Sequence, residues 1–152
     1  MYSTIINTLE SNGYKHYEIS NFSKEGYESK HNLTYWNNNY YYGFGVGASG
    51  YIDDIRYDNT RSINEYLKGN YILNSNKLTL KETMENEFIL GFRKIDGINK
   101  EEFYNKYNID IKSIDKVQQL LKENKLLEDK KNIYINPEYI YVSNDILIEF
   151  ID

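Results

Sequence analysis

The sequence predicts an α+β fold in two parts, residues 1–75 with mixed strands and helices and residues 76–152 mainly helical. Three observations point there. Strand-like runs rich in Tyr, Ile and Gly occupy the first part, around residues 14–20 and 40–59. Three capped helical patterns followed by two short strand patterns occupy the second, which is the order of a winged helix. The texture changes near Asn74–Asn76, with 12 of the 17 tyrosines and seven of the nine glycines lying before it.

Length and composition bound the rest. A chain of 152 residues makes one domain or two small ones and is long enough for a real core. The 17 tyrosines, the many Asn, Lys and Ile, and the single Ala fit AT-rich codon usage, so an aromatic is not functional merely by being present. Net charge is −5, and no basic block exceeds two residues, so the electrostatic footprint of a nucleic-acid binder is missing. No cysteine is present, which excludes disulfides, thiolate metal sites and iron–sulfur ligation by this chain. The sequons at Asn21 and Asn32 matter only after secretion. With no signal peptide and no apolar run of about 18 residues, a cytoplasmic location is expected.

In the first part, Ile5, Ile6 and Leu9 share one helical face, and Gly13 is a C-terminal stop. Tyr17 and Ile19 then alternate with His16 and Glu18 as in a strand, so helix and strand together form half of an α/β repeat. His16 reads as packing or solvent-facing. Residues 21–39 have no period and are expected to be an irregular loop. The run YYGFGVGASGYI suggests a strand approached closely by another backbone or a ligand. Asp53-Asp54 reads as a hairpin turn, and Ser62 as the cap of a short helix stopped by Gly69.

In the second part, Thr79 and Glu82 form a capping box ahead of a helix with Leu80, Met84, Phe88 and Phe92 on one face. Asn99 caps the next helix, with Phe103 and Tyr107 inward. Asp110 or Ser113 caps a third, with Ile114, Val117, Leu120 and Leu121 inward. Strands follow at 126–128 and 133–135. Pro137 opens a last segment that buries Ile146, Leu147 and Phe150. In a DNA-binding winged helix the third helix needs a surplus of cations near phosphates. Here Lys112, Lys116, Lys122 and Lys125 are offset by Asp110, Asp115 and Glu123, which favours a packing or docking wing.

Two motifs remain. Gly45-x-Gly47-x-x-Gly50 matches a dinucleotide fingerprint, but a strand and turn pattern follows where a helix is required. Its glycines then point to close backbone approach, to a neighbouring element or to a ligand. The stretch SKHNLTYW holds one of the two histidines and the only tryptophan. A neutral imidazole at His31 could ligate iron, act as an acid–base group or simply close a loop. Tyr35 and Trp36 could wall a planar ligand. Glu18, with Ser20 and Asn21, lies at a strand end, where α/β barrels place working groups.

Three stretches, YEISNFSKEGYESKHNLTYW, YYGFGVGASGY and EFILGFRKIDGINKEEF, resemble the C-terminal third of radical S-adenosylmethionine (SAM) proteins labelled oxygen-independent coproporphyrinogen III oxidase. The His-Asn-x-x-Tyr-Trp pattern resembles the branch regarded as haem chaperones. The resemblance implies a C-terminal fragment of a radical SAM (β/α) partial barrel over 1–75, with a late strand at Tyr17–Asn21, and a winged-helix-like domain over 76–152. It implies haem or porphyrin contacts at His31, Asn32, Tyr35 and Trp36, with His31 on the iron, and Gly45, Gly47 and Ala48 near S-adenosylmethionine. Family members hold a [4Fe–4S] cluster with a CxxxCxxC motif. This cysteine-free chain is therefore expected to hold no cofactor and to do no radical chemistry alone. Expected partners are haem, a missing N-terminal barrel portion, a haem-receiving protein, and a second chain through exposed strand edges, but not nucleic acid. The alternatives are porphyrinogen oxidative decarboxylation by the full-length protein and a winged-helix interaction module.

Overall fold

The computed structural model describes residues 2–151. Helix α1 (Tyr2–Ser11) leads into β1 (Lys15–Glu18) and β2 (Asn21–Ser23), then α2 (Lys30–Trp36). Strands β3 (Ser49–Ile52) and β4 (Ile55–Asn59), α3 (Ile63–Leu67) and β5 (Ile72–Lys77) follow. The second part runs α4 (Leu80–Gly91), β6 (Ile98–Asn99), α5 (Lys100–Tyr107), α6 (Asp115–Lys122), β7 (Leu126–Glu128), β8 (Asn132–Ile135) and α7 (Ser143–Leu147). Among the described residues the strands form three small antiparallel sheets, ordered β1-β2, β3-β4-β5 and β6-β8-β7.

Several elements form for the reasons the sequence suggested. Asp53 and Asp54 both take positive φ, 51° and 62°, the two-residue turn that matches strand twist between β3 and β4. Thr79 and Glu82 make the reciprocal capping box of α4. Asn99 accepts from the backbone N–H groups of Glu101 and Glu102. Asp110 caps a 3₁₀ turn, Ile111–Ser113, instead of α6, whose own N-terminus has no side-chain cap.

Three expectations need correction. The aperiodic stretch 21–39 contains β2 and α2, because capping by Ser29 and end contacts stabilise a helix too short to show a period. The glycine-rich run is mostly loop, with only Ser49–Ile52 in a strand and one bridge between Tyr41 and Tyr51. Leu80, at helical spacing with Met84, Phe88 and Phe92, is exposed because it occupies the first helical position beside its cap. The texture change at Asn74–Asn76 falls inside β5, which pairs along β4.

The core sits almost wholly in the second part. Phe88 stacks on Phe92, Phe103 and Phe150, with ring centroids 4.6–5.9 Å apart. Ile98, Ile111, Val117, Leu120, Leu126 and Ile133 join it, each fully or almost fully buried, as do Ile135, Ile140, Ile146 and Leu147. Among the described residues, the first part adds only Tyr17 and Tyr51 to the buried apolar set. It is tied on by backbone bonds, Ile19 N–H to Arg93 O and Ile95 N–H to Tyr17 O, and by the docking of α2 on α4.

Candidate functional site

The stretch that holds His31 is a helix. Ser29 is its N-cap and accepts from Asn32 N–H at 3.3 Å, so Asn32 serves the cap with its backbone. His31 and Tyr35 are four residues apart and meet on one face, ring centroids 4.8 Å apart and nearly perpendicular. Tyr35 continues edge-on to Tyr41 at 4.5 Å. His31 is exposed, and among the described residues neither of its ring nitrogens has a hydrogen-bond partner. A neutral imidazole in this state has a lone pair available to a metal. No cluster of three or more His, Asp or Glu side chains lies near enough to hold a metal ion among the described residues.

Trp36 faces elsewhere. The Arg93 guanidinium lies 5.5 Å from its ring centroid, on the side where α2 meets α4, and its indole nitrogen is buried without a partner among the described residues. The structure thus brings His31 and Tyr35 together and sets Trp36 against the helical part.

The glycine loop packs on the β3-β4 hairpin. Gly45 and Gly47 have φ of 98° and 71°, the left-handed region that favours glycine. Gly43 and Gly50 are the positions of close approach, where an added Cβ would overlap the Ser49 carbonyl and the Tyr57 ring. Asn59 fixes the loop by donating to the carbonyls of Gly43 and Gly45, at 3.1 and 2.8 Å, and its N–H meets Ala48 O at 2.8 Å. At Gly43 and Gly50 the close approach is made by this chain's own hairpin, whereas a Cβ at Gly45 would meet nothing within 4 Å among the described residues.

His16 and Glu18 make their contacts within the chain. His16 stacks on Phe22 at 4.3 Å, its Nε2 3.2 Å from Ile19 O. Glu18 is buried at the β1–β2 turn and accepts from Ser20 N–H and the Asn21 amide. A cavity of about 310 Å³ lies between the β3-β4 turn and the helices, lined by Asn38, Tyr40, Tyr51, Asp54, Thr83 and Tyr107. Burial, reinforced by donation to Asp54, raises the Tyr51 phenol above its ordinary value.

Sequence reasoning missed the group at the far end of α2: Asn37, Asn38, Glu87, Lys94, Lys106 and Tyr107. The signal was Asn37-Asn38-Asn39, since Asn is tolerated in the left-handed conformation that ends helices, and Asn38 has φ 48°.

Residues 78–138 match the HemN C-terminal domain family. The heme chaperone HemW of Lactococcus lactis subsp. lactis is 38% identical over 99% of this chain and 41% of its own length. This chain is similar to the HemW proteins along nearly all of its length. The HemW of Bacillus subtilis is 35% identical, again over 99% of this chain and 42% of its own length. The chain thus spans about two fifths of the HemW relatives it matches. Among solved structures, Escherichia coli coproporphyrinogen III oxidase (HemN), described as a radical SAM enzyme, superposes with a TM-score of 0.67 at 14% identity. That match covers 98% of this chain and 39% of HemN, and it shows a shared mixed α/β fold.

Proposed function

We propose that this chain is the haem-handling C-terminal part of a radical SAM haem chaperone, with His31 as the iron ligand and Tyr35 and Tyr41 beside it. The observation that carries this reading is the exposed His31 imidazole, its ring nitrogens unpartnered and its edge packed on Tyr35. Haem is cargo here: His31 donates a lone pair, and the aromatic edge limits which way the imidazole can turn. The similarity of 99% of this chain to proteins named heme chaperone HemW supports it.

The finer parts of the reading go with it. Residues 1–75 are the end of a partial barrel, with Gly45, Gly47 and Ala48 towards S-adenosylmethionine, and the cluster belongs to the remainder of a HemW-length protein. The element order α4-β6-α5-α6-β7-β8, with sheet order β6-β8-β7, supports a winged-helix-like domain over 76–152. Around α6, Lys112 pairs with Glu128 at 2.8 Å, Lys116 with Glu149 at 3.4 Å and Lys125 with Glu149 at 3.0 Å, which supports packing over phosphate contact. Strand β5 is exposed throughout and pairs along one side with β4, an edge suited to another chain or to the remainder of the barrel. Action in the cytoplasm is part of the proposal, and no helix among the described residues is long and apolar enough to cross a membrane.

The test is titration of haemin into the chain and into His31→Ala. Loss of the ligand-shifted Soret band and a weakening of at least about tenfold in the variant are expected, the scale of a lost ligand bond. Identical spectra and affinities would remove His31 as the ligand.

A further inference from the structure

Helix α2 is held at its C-terminal end. Lys94 Nζ donates to Asn37 Oδ1 at 2.6 Å, and Lys106 Nζ donates to Asn37 O at 2.6 Å. Lys106 is anchored in turn on Glu87, 2.9 Å away, whose carboxylate also accepts from Tyr107 Oη at 3.0 Å. Glu87 is 4% exposed, so this is a fixed point on α4 and not a surface pair. Asn38 adds a bond from its amide to Thr83 O at 3.2 Å.

These contacts carry much of the placement of α2. The helix has seven residues, none of them buried, and so short a helix does not persist by itself. Its C-terminal carbonyls form the negative end of the backbone dipole, and two ammonium groups meet that end with the favourable sign. Charge-assisted bonds of this length are the strong ones, and they are directional. A helix fixed at Asn37 has a defined rotation, and rotation decides which way His31 and Tyr35 face, at about 100° per residue.

We propose that Lys94 and Lys106 are positioning residues that grip Asn37 and so fix the His31–Tyr35 face relative to the helical part. Neither lysine touches His31; both act through α2. The consequence for haem rests on the ligand reading above. Burial pushes the Lys94 ammonium below its ordinary value, while Glu87, Glu102 and Asp96 oppose that shift and Lys106 adds to it.

Trp36 supplies the readout. It is the only tryptophan and immediately precedes Asn37. The experiment compares Trp36 emission and haemin titration in the 152-residue chain and in Lys94→Met, Lys106→Met, Lys106→Arg and His31→Ala. Red-shifted Trp36 emission and haemin binding weaker by about tenfold are expected in Lys94→Met and Lys106→Met, each losing a charge-assisted bond. Lys106→Arg restores both signals, and apo His31→Ala keeps the wild-type emission. Wild-type emission and haemin affinity in both Met variants would overturn the proposal. If Lys106→Met loses its circular dichroism, Glu87→Gln takes its place, since it weakens the anchor of Lys106 and keeps the lysine. A red shift there upholds the proposal and none overturns it. If His31→Ala binds haemin like wild type while the Met variants move Trp36, positioning of α2 stands and the ligand reading falls.

Discussion

Replacing Phe103 with Ala tests how the two parts depend on each other. Phe103 is fully buried on α5, its ring 5.4 Å from Phe88 and 4.7 Å from Tyr107. Removing a buried phenylalanine ring costs about 3–5 kcal/mol, for transfer plus the cavity left behind. With a urea slope of about 2 kcal/mol/M, a loss of about 4 kcal/mol lowers the unfolding midpoint by about 2 M. The assay is equilibrium urea unfolding followed by circular dichroism, which reads mostly the helical part, and by Trp36 emission, which reads α2. The first part places only Tyr17 and Tyr51 among the buried apolar side chains of the described residues, so it leans on the second for its stability. Both signals should therefore move together. A shift below about 0.5 M, or a Trp36 transition that stays in place while the dichroism moves, would refute the reasoning.

Two further predictions concern caps and turns. Thr79→Ala should lower stability by about 1 kcal/mol, read as a lower thermal midpoint, because it removes the side-chain half of the α4 capping box. The Glu82 carboxylate accepts from Thr79 N–H and Oγ1–H at 2.7 and 2.8 Å, which holds its carboxyl below the ordinary value of about 4.5. Its contribution is therefore present above about pH 4.5 and is lost as pH falls through the lowered folded value. Glu82→Gln should flatten the acid-unfolding curve in that window, and an unchanged slope would exclude the box as a source of acid sensitivity. Gly50→Ala should cost about 1–3 kcal/mol, since its Cβ would overlap the Tyr57 ring, and the shift is measured by urea unfolding.

The second part was the more legible in the sequence. Its helices announce themselves by caps at Thr79 and Asn99 and by apolar faces that repeat over two turns or more. Strand β6 escaped notice because two residues, Ile98 and Asn99, cannot show alternation, and its pairing with β8 is a contact across 33 residues of chain. In the first part, α2 was hidden for a related reason. Its seven residues are held at the ends by Ser29 and Asn37 and bury no apolar stripe, so periodicity had nothing to detect.

Some features were determined by the sequence alone because they are local. The Asp53-Asp54 turn, the capping box and the absence of thiolate ligands depend on neighbouring residues or on composition, and no tertiary contact can alter them. The sequence also set His31 and Tyr35 four positions apart, but that spacing means one face only if the segment is helical. Tertiary structure decided that it is. Lys94 and Lys106 lie 57 and 69 residues from Asn37 in the chain and meet it only when the second part has folded, with Glu87 holding Lys106 in place. It also set Trp36 against Arg93, while His31, five positions earlier, meets Tyr35. Both outcomes have one cause: a helix this short takes its existence and its rotation from whatever grips its ends.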